Sequence, residues 1–244
     1  MINDLSEITA IILLGGKGTR LASMVSEVAK PMAPIQGKPF LEYLICYLKS
    51  FSINQFIFLT GHKHDSIENY FSDGSKFKIN INYSREYATL GTGGAIKQAE
   101  ELILSEYFLL LNGDTFFELD INKFLKSSKM DCLVNIALKH VNNAKRYGFV
   151  KKDNHGYITQ FKEKPKNLES GNINTGFYLM KKIILDQIPL QETSLENDIF
   201  PQLINKMQIA GQSLEGNFID IGIPEDYLKA QEVIPTWTKF NSNY

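Results

Sequence analysis

Ala10-Ile11-Ile12-Leu13-Leu14-Gly15-Gly16-Lys17-Gly18-Thr19-Arg20-Leu21 is the stretch whose reading decides the fold. The apolar run Ala10 to Leu13, ending in glycines, has the pattern of a buried strand that opens into a tight loop. Gly15, Gly16 and Gly18 lack side chains, so backbone N–H groups there can close on an anion. Arg20 adds a permanent positive charge whose planar fork of donors suits phosphate oxygens. Ten residues on, Lys30-Pro31-Met32 supplies a second cation beside a stiff proline. The combination describes a site for a highly charged phosphate ligand.

Two familiar glycine loops do not fit. In G-x-G-x-x-G spacing Gly16 and Gly18 would be the first two glycines, and Leu21 stands where the third belongs. A P-loop needs Lys followed by Ser or Thr, and Lys17 is followed by Gly18. For a lone G-x-G an ordinary strand-to-helix turn stays open as an alternative. The longer G-G-x-G-T-R-L, with a lysine-proline after it, is more specific.

The 244 residues suffice for one large α/β domain or two small ones, and 43% hydrophobic content suffices for a core. A net charge of −1 gives no electrostatic case for nucleic acid or an anionic membrane. No apolar run reaches the roughly 18 residues of a membrane span. The start, Met1 to Glu7, is polar and acidic, unlike a secretory signal. Cys46 and Cys132 lie in separate apolar segments and read as buried free thiols. A cytoplasmic protein is expected, with no nucleic-acid or membrane partner and a homo-oligomer left open.

Beyond the loop, Pro39 to Phe51 has helical spacing of apolar residues. Gln55–Thr60 reads as a strand, Asp65–Phe71 as a short helix and Ile79–Tyr83 as another strand. Gly91-Thr92-Gly93-Gly94-Ala95 opens a helix expected to run to about Leu104. Tyr107–Leu111 is an apolar strand ending in Asn112-Gly113-Asp114. This alternation predicts an α/β fold with a mainly parallel sheet and helices on both faces. In the second half, strands are expected at Cys132–Lys139, Tyr147–Lys151, Tyr157–Phe161, Ile173–Met180, Ile209–Leu214 and Phe218–Ile221. Helices are expected at Lys181–Gln187, Leu195–Lys206 and Glu225–Val233, with Trp237–Tyr244 a frayed tail. No repeat or linker interrupts the chain, so a single domain over 1–244 is expected, with 1–8 and 236–244 as peripheral tails.

Asp114, directly after an apolar strand, would emerge at the carboxyl edge of the sheet, where ligands of open α/β sheets bind. A hard carboxylate beside bound phosphates suits magnesium, which needs only one or two protein ligands. Asp220, in F-I-D-I-G-I-P, is the second acid of this kind, although either could simply cap a turn. The N–H groups of Gly91 to Gly94, ahead of a helix, could receive a phosphate or a base edge. Glu163-Lys164-Pro165 sets acid beside base, and Asn174-Thr175-Gly176 begins a strand. Both also fit solvated or turn chemistry. His62, His64, His140 and His155 show no zinc spacing.

Taken in order, G-G-x-G-T-R-L, K-P, L-G-T-G-G-A, N-G-D, Y-G, E-K-P, N-x-G and D-I-G-x-P resemble the signature of the sugar-phosphate nucleotidyltransferases, from about Thr9 to Val233. The resemblance implies a Rossmann-like fold, of the kind shared with GT-A enzymes. It also implies a reaction of a nucleoside triphosphate with a sugar 1-phosphate, giving a nucleotide sugar and pyrophosphate. Arg20 and Lys30 would be the catalytic cations on the phosphates. Leu14, Gly15, Gly16, Gly18, Thr19, Gly91 and Asn112 would wrap the nucleotide, and Glu86 and Gly94 would lie where its base is read. Lys164 would face the sugar phosphate, with Gly148, Glu163, Asn174 and Thr175 around the sugar. Asp114 and Asp220 would hold Mg2+.

Within the family, K-P-M-A-P-I, K-P-F-L-E-Y and L-N-G-D-T-F-F resemble the guanylyltransferases acting on a heptose 1-phosphate, with GTP as the nucleotide. Those acting on mannose 1-phosphate are the nearest rival, and uridylyl- or thymidylyltransferases stay open. Glu86 supports guanine, whose adjacent N1–H and N2–H₂ donors one carboxylate can accept. A GT-A glycosyltransferase would carry Asp-x-Asp after the central strand, whereas Asp114 is followed by Thr115-Phe116. A silent homologue would have lost cations or carboxylates that are all present here. No acyltransferase extension follows, so no second activity is expected.

Overall fold

The computed structural model describes residues 4–16, 21, 24–163 and 170–237. Its strands are β1 (Thr9–Leu13), β2 (Pro34–Ile35), β3 (Lys38–Pro39), β4 (Gln55–Thr60), β5 (Asn80–Arg85), β6 (Tyr107–Asn112) and β7 (Thr115–Glu118). They continue with β8 (Val134–Val141), β9 (Phe149–Lys152), β10 (Ile158–Lys162), β11 (Gly171–Lys181), β12 (Ile209–Ser213) and β13 (Asn217–Asp220). The α-helices are α1 (Phe40–Lys49), α2 (His64–Phe71), α3 (Gly91–Gln98), α4 (Ile121–Ser127), α5 (Phe200–Asn205) and α6 (Pro224–Val233).

Nine strands form one mixed sheet in the order β10-β9-β11-β6-β1-β4-β5, with β8 between β11 and β12. The pairs β6-β1, β1-β4 and β4-β5 are parallel, as the alternating first half predicts. The long β11 then runs antiparallel to β6, β8 and β9. Buried strands covered on both faces need apolar side chains at successive positions, which is why β1, β4 and β6 are continuous apolar runs. Ala10 and Ile12 pack with α1 on one face, while Ile11 packs with Ala95, Ile96 and Phe200 on the other. Helices therefore cover both faces.

Several expectations shift. The glycine cluster lies inside α3 rather than ahead of it, and the helix ends at Gln98, before a 3₁₀ turn at Glu100–Leu102. β7 and α4 fall where the sequence suggested no element; Asp120 caps α4 by accepting from the Lys123 N–H at 3.1 Å. Trp237 does not fray. It is 9% exposed and its ring centroid lies 5.1 Å from that of Phe116. At the other end Ile8, expected in a peripheral tail, is buried in the core. Neither Cys46 nor Cys132 forms a disulfide, as expected; Cys132 is buried, whereas Cys46, expected to be buried too, is half-buried. No helix among the described residues is long and apolar enough to cross a membrane.

Candidate active site

Register explains how distant residues meet. β1 and β6 are parallel, with Leu13 opposite Asn112, so the loops after both strands leave at one edge. β11 is antiparallel to β6, with Phe177 opposite Leu111, so the residues before Phe177 reach the same edge. A bulge between Asn174 and Tyr178 re-aims that stretch. Gly176 sits there at φ +72, and a Cβ on it would lie 2.4 Å from the Asn112 amide nitrogen. A residue with a side chain would be strained and would displace Asn112.

A cleft of about 320 Å³ opens at this edge. Leu14, Gly15, Gly16, Lys30, Glu86, Gly91, Asn112 and Asp114 line it. Leu13, Pro31, Thr89 and Thr92 also line it, without a site role from the sequence; each stands in or beside a motif. Glu86 accepts the Leu90 N–H through Oε2 at 2.9 Å. Its other oxygen, Oε1, would lie 2.4 Å from a Cβ on Gly15, so the glycine makes room for the carboxylate. Burial pushes the Glu86 pKa up, partly offset by the Leu90 hydrogen bond. Gly18, Thr19, Arg20 and Lys164 lie outside the described residues.

Beside the cleft, β7 pairs antiparallel with β13, with Thr115 opposite Asp220, and Ile221 N–H donates to the Asp114 carbonyl at 3.0 Å. That pairing brings Asp114 and Asp220 together across more than a hundred residues of chain. Burial, and then the Asp114 charge, push the Asp220 pKa up to about 6, with Lys30 acting against both. Asp220 Oδ1 accepts from the Gly222 N–H at 2.6 Å. Lys30 donates to Asp114 Oδ2 at 2.5 Å, so the expected phosphate cation and the expected metal ligand stand as an ion pair. The donor set fits magnesium. Two adjacent carboxylates, one largely buried, repel each other until a cation neutralises them, and magnesium takes few protein ligands and completes its shell with phosphate and water. Among the described residues no cluster of three or more ligating side chains exists to suit zinc.

The residues expected around the sugar gather on the β9–β11 side. Asn174 N–H donates to the Gly148 carbonyl at 2.7 Å, and a Cβ on Gly148 would lie 3.1 Å from Glu163 Oε2. Two expected site residues point elsewhere. Thr175 is 1% exposed and spends its hydroxyl hydrogen on the Ala137 carbonyl at 2.7 Å, inside the sheet. The Gly93 N–H donates to the Thr193 carbonyl at 2.8 Å and the Gly94 N–H donates to it at 3.4 Å, while a Cβ on Gly94 would meet the Gln191 carbonyl at 2.2 Å. Gly94 therefore does not line the cleft; it lets α3 press against the 191–193 segment.

Residues 9–236 match the model of the nucleotidyl transferase family. The chain is 45% identical over 229 residues to D-glycero-alpha-D-manno-heptose 1-phosphate guanylyltransferase of Aneurinibacillus thermoaerophilus, covering 91% of this chain and 96% of that one. It is 41% identical over 218 residues to the protein of the same name from Campylobacter jejuni, covering 89% and 96%. Among solved structures, HddC from Yersinia pseudotuberculosis complexed with GMP-PN superposes with a TM-score of 0.81 at 36% identity, over 92% of this chain and 98% of that one.

Proposed function

The chain belongs to the nucleotidyl transferase family, and from that premise we propose that it joins GTP to D-glycero-α-D-manno-heptose 1-phosphate, giving GDP-heptose and pyrophosphate. The observation that carries this reading is the similarity, at 45% and 41% identity, to two heptose 1-phosphate guanylyltransferases over 96% of each of them. The cleft agrees with it, since Glu86 offers a carboxylate for the guanine N1–H and N2–H₂ and none of the other bases presents that donor pair.

The obstacle in the reaction is charge. A sugar phosphate oxygen must approach an α-phosphorus already surrounded by negative oxygens, and proteins meet this by alignment and electrostatic stabilisation rather than covalent chemistry. Gly15 and Gly16 bring backbone close to the nucleotide, and Lys30 and Arg20 carry positive charge to its phosphates. Lys164 does the same for the incoming sugar phosphate, with Gly148, Glu163 and Asn174 holding the sugar. Asp114 and Asp220 would hold Mg2+, which would supply positive charge to the phosphates. Cells keep GTP in the cytoplasm, so the reaction belongs there.

Product analysis tests the proposal. The purified chain, incubated with GTP, the heptose 1-phosphate and magnesium, should yield GDP-heptose by mass and one pyrophosphate per product. Absence of pyrophosphate release with every sugar phosphate, or transfer from a ready-made nucleotide sugar to an acceptor, would put the chain in another class.

A further inference from the structure

Ser66, to which the sequence assigned no role, lies in the first turn of α2, yet its hydroxyl serves a different segment. Its Oγ accepts the Ala29 N–H at 3.1 Å across 37 residues of chain, and its hydroxyl hydrogen goes to the Lys63 carbonyl at 2.8 Å. Lys63 stands at the N-cap of α2 with left-handed backbone, φ +58, and its side chain does not cap the helix. Instead Lys63 Nζ donates to the Ser26 carbonyl. At the head of the same turn a Cβ on Gly61 would stand 3.1 Å from the Gly15 Cα. Residues 61–66 therefore touch the glycine loop at Gly15 and the chain just ahead of Lys30.

Ala29 is 2% exposed, and a buried N–H left without an acceptor is costly, so the Ser66 bond fixes this peptide firmly. The Ala29 carbonyl accepts the Met32 N–H at 2.8 Å, and the Lys30 carbonyl accepts the Ala33 N–H at 3.0 Å. These bonds wind Lys30–Met32 into a single 3₁₀ turn, with Pro31 restricting its φ and both Pro31 and Met32 buried. Ser66 thus holds the peptide from which that turn departs. The Lys30 side chain, 11% exposed, then reaches Asp114 Oδ2 at 2.5 Å. A short, stiff turn passes any displacement of its first peptide on to the side chain, and a catalytic group has to be placed to within about 0.5 Å.

We propose that Ser66 is a positioning residue for Lys30: its hydroxyl fixes Ala29, and through the 3₁₀ turn it sets the Lys30 ammonium against the nucleotide phosphates. The proposal rests on the phosphate role given to Lys30 above. Its signature is an effect on turnover that exists only while Lys30 is present, together with loosening at the Ala29 amide. A serine of merely structural value would lower stability without that dependence on Lys30.

The test uses whichever nucleoside triphosphate and sugar 1-phosphate the parent enzyme turns over fastest, so an error in substrate identity does not touch it. In Ser66→Ala the Ala29 amide, followed by NMR, should exchange with deuterium on the order of tenfold faster. Its kcat per folded molecule should fall on the order of tenfold, with the KM for the sugar 1-phosphate unmoved. Ser66→Thr, which keeps the hydroxyl, should restore both the exchange rate and kcat. Added to Lys30→Ala, Ser66→Ala should cost nothing more in kcat. Unchanged exchange at Ala29, the parent's kcat despite faster exchange, or effects of Ser66→Ala and Lys30→Ala that multiply would each overturn the proposal. A Lys30→Ala enzyme as fast as the parent would instead fault the role given to Lys30, and the Ala29 exchange would still judge whether Ser66 holds that peptide.

Discussion

Gly15 and Gly16 face the cleft, whereas Gly93 and Gly94, in a second glycine-rich stretch, face away from it into the 191–193 segment. Around Gly16 a Cβ would meet nothing within 4 Å among the described residues, so that glycine leaves space beside the cleft. Around Gly94 a Cβ would collide with backbone, so that glycine is spent on close packing. The same residue type thus leaves space at the cleft in one place and permits close packing in the other. In the sequence the first stretch runs on to Arg20 and Lys30, the cations proposed for the phosphates, while the second contributes Thr92 to the cleft lining.

Predictions that separate the two stretches run from chemistry down to silence. Arg20→Ala should reduce turnover on the order of a hundredfold or more, as loss of a charge-stabilising group does, while leaving Tm unchanged. Turnover like the parent's would remove the first stretch from the reaction. Asp114→Asn and Asp220→Asn keep shape and lose charge. Each should weaken magnesium dependence by at least on the order of tenfold, since even outer-shell partners of a metal are worth that much. Magnesium titrations indistinguishable from the parent's would make both aspartates structural.

Gly94→Ala should instead cost about 1–3 kcal/mol of stability, several degrees in Tm, with kcat per folded molecule retained. A stable variant with altered nucleotide KM would reverse the assignment of that stretch. Glu86 gives a subtler signal. Because burial raises its pKa, the ionised acceptor is lost as pH falls through a value above the ordinary glutamate range, and the KM for GTP should climb there. Stability moves the opposite way: the contribution of Glu86 is full below its unfolded pKa and is lost as pH rises through the folded one. Glu86→Gln should flatten both dependences, and a GTP profile unchanged by that substitution would free Glu86 from the base. Smallest of all, Gly16→Ala should leave Tm within experimental scatter, since no atom of the described residues lies within 4 Å of the new methyl.

Much of this was legible. The apolar runs of β1, β4 and β6 announce strands buried on both faces, and the carboxylate after β6 announces the ligand edge. What stayed hidden depends on contacts between distant segments. Gly94 reads as a ligand loop until the carbonyls of Gln191 and Thr193 are found against it. Thr175 reads as a site residue until the β11 bulge turns its hydroxyl toward Ala137. The buried ring of Trp237 needs Phe116 as its partner, and Glu196 needs the Thr92 hydroxyl. Periodicity and motif spacing report a residue's local role, and none of these roles is local.

The account stands most directly on one measurement: kcat/KM by pyrophosphate release for GTP, ATP, CTP, UTP and dTTP, each against heptose, mannose and glucose 1-phosphates. GTP with D-glycero-α-D-manno-heptose 1-phosphate should give the highest value, and replacing either substrate should lower it. Preference for UTP or dTTP would contradict the role given to Glu86, and mannose 1-phosphate outperforming the heptose would contradict the substrate.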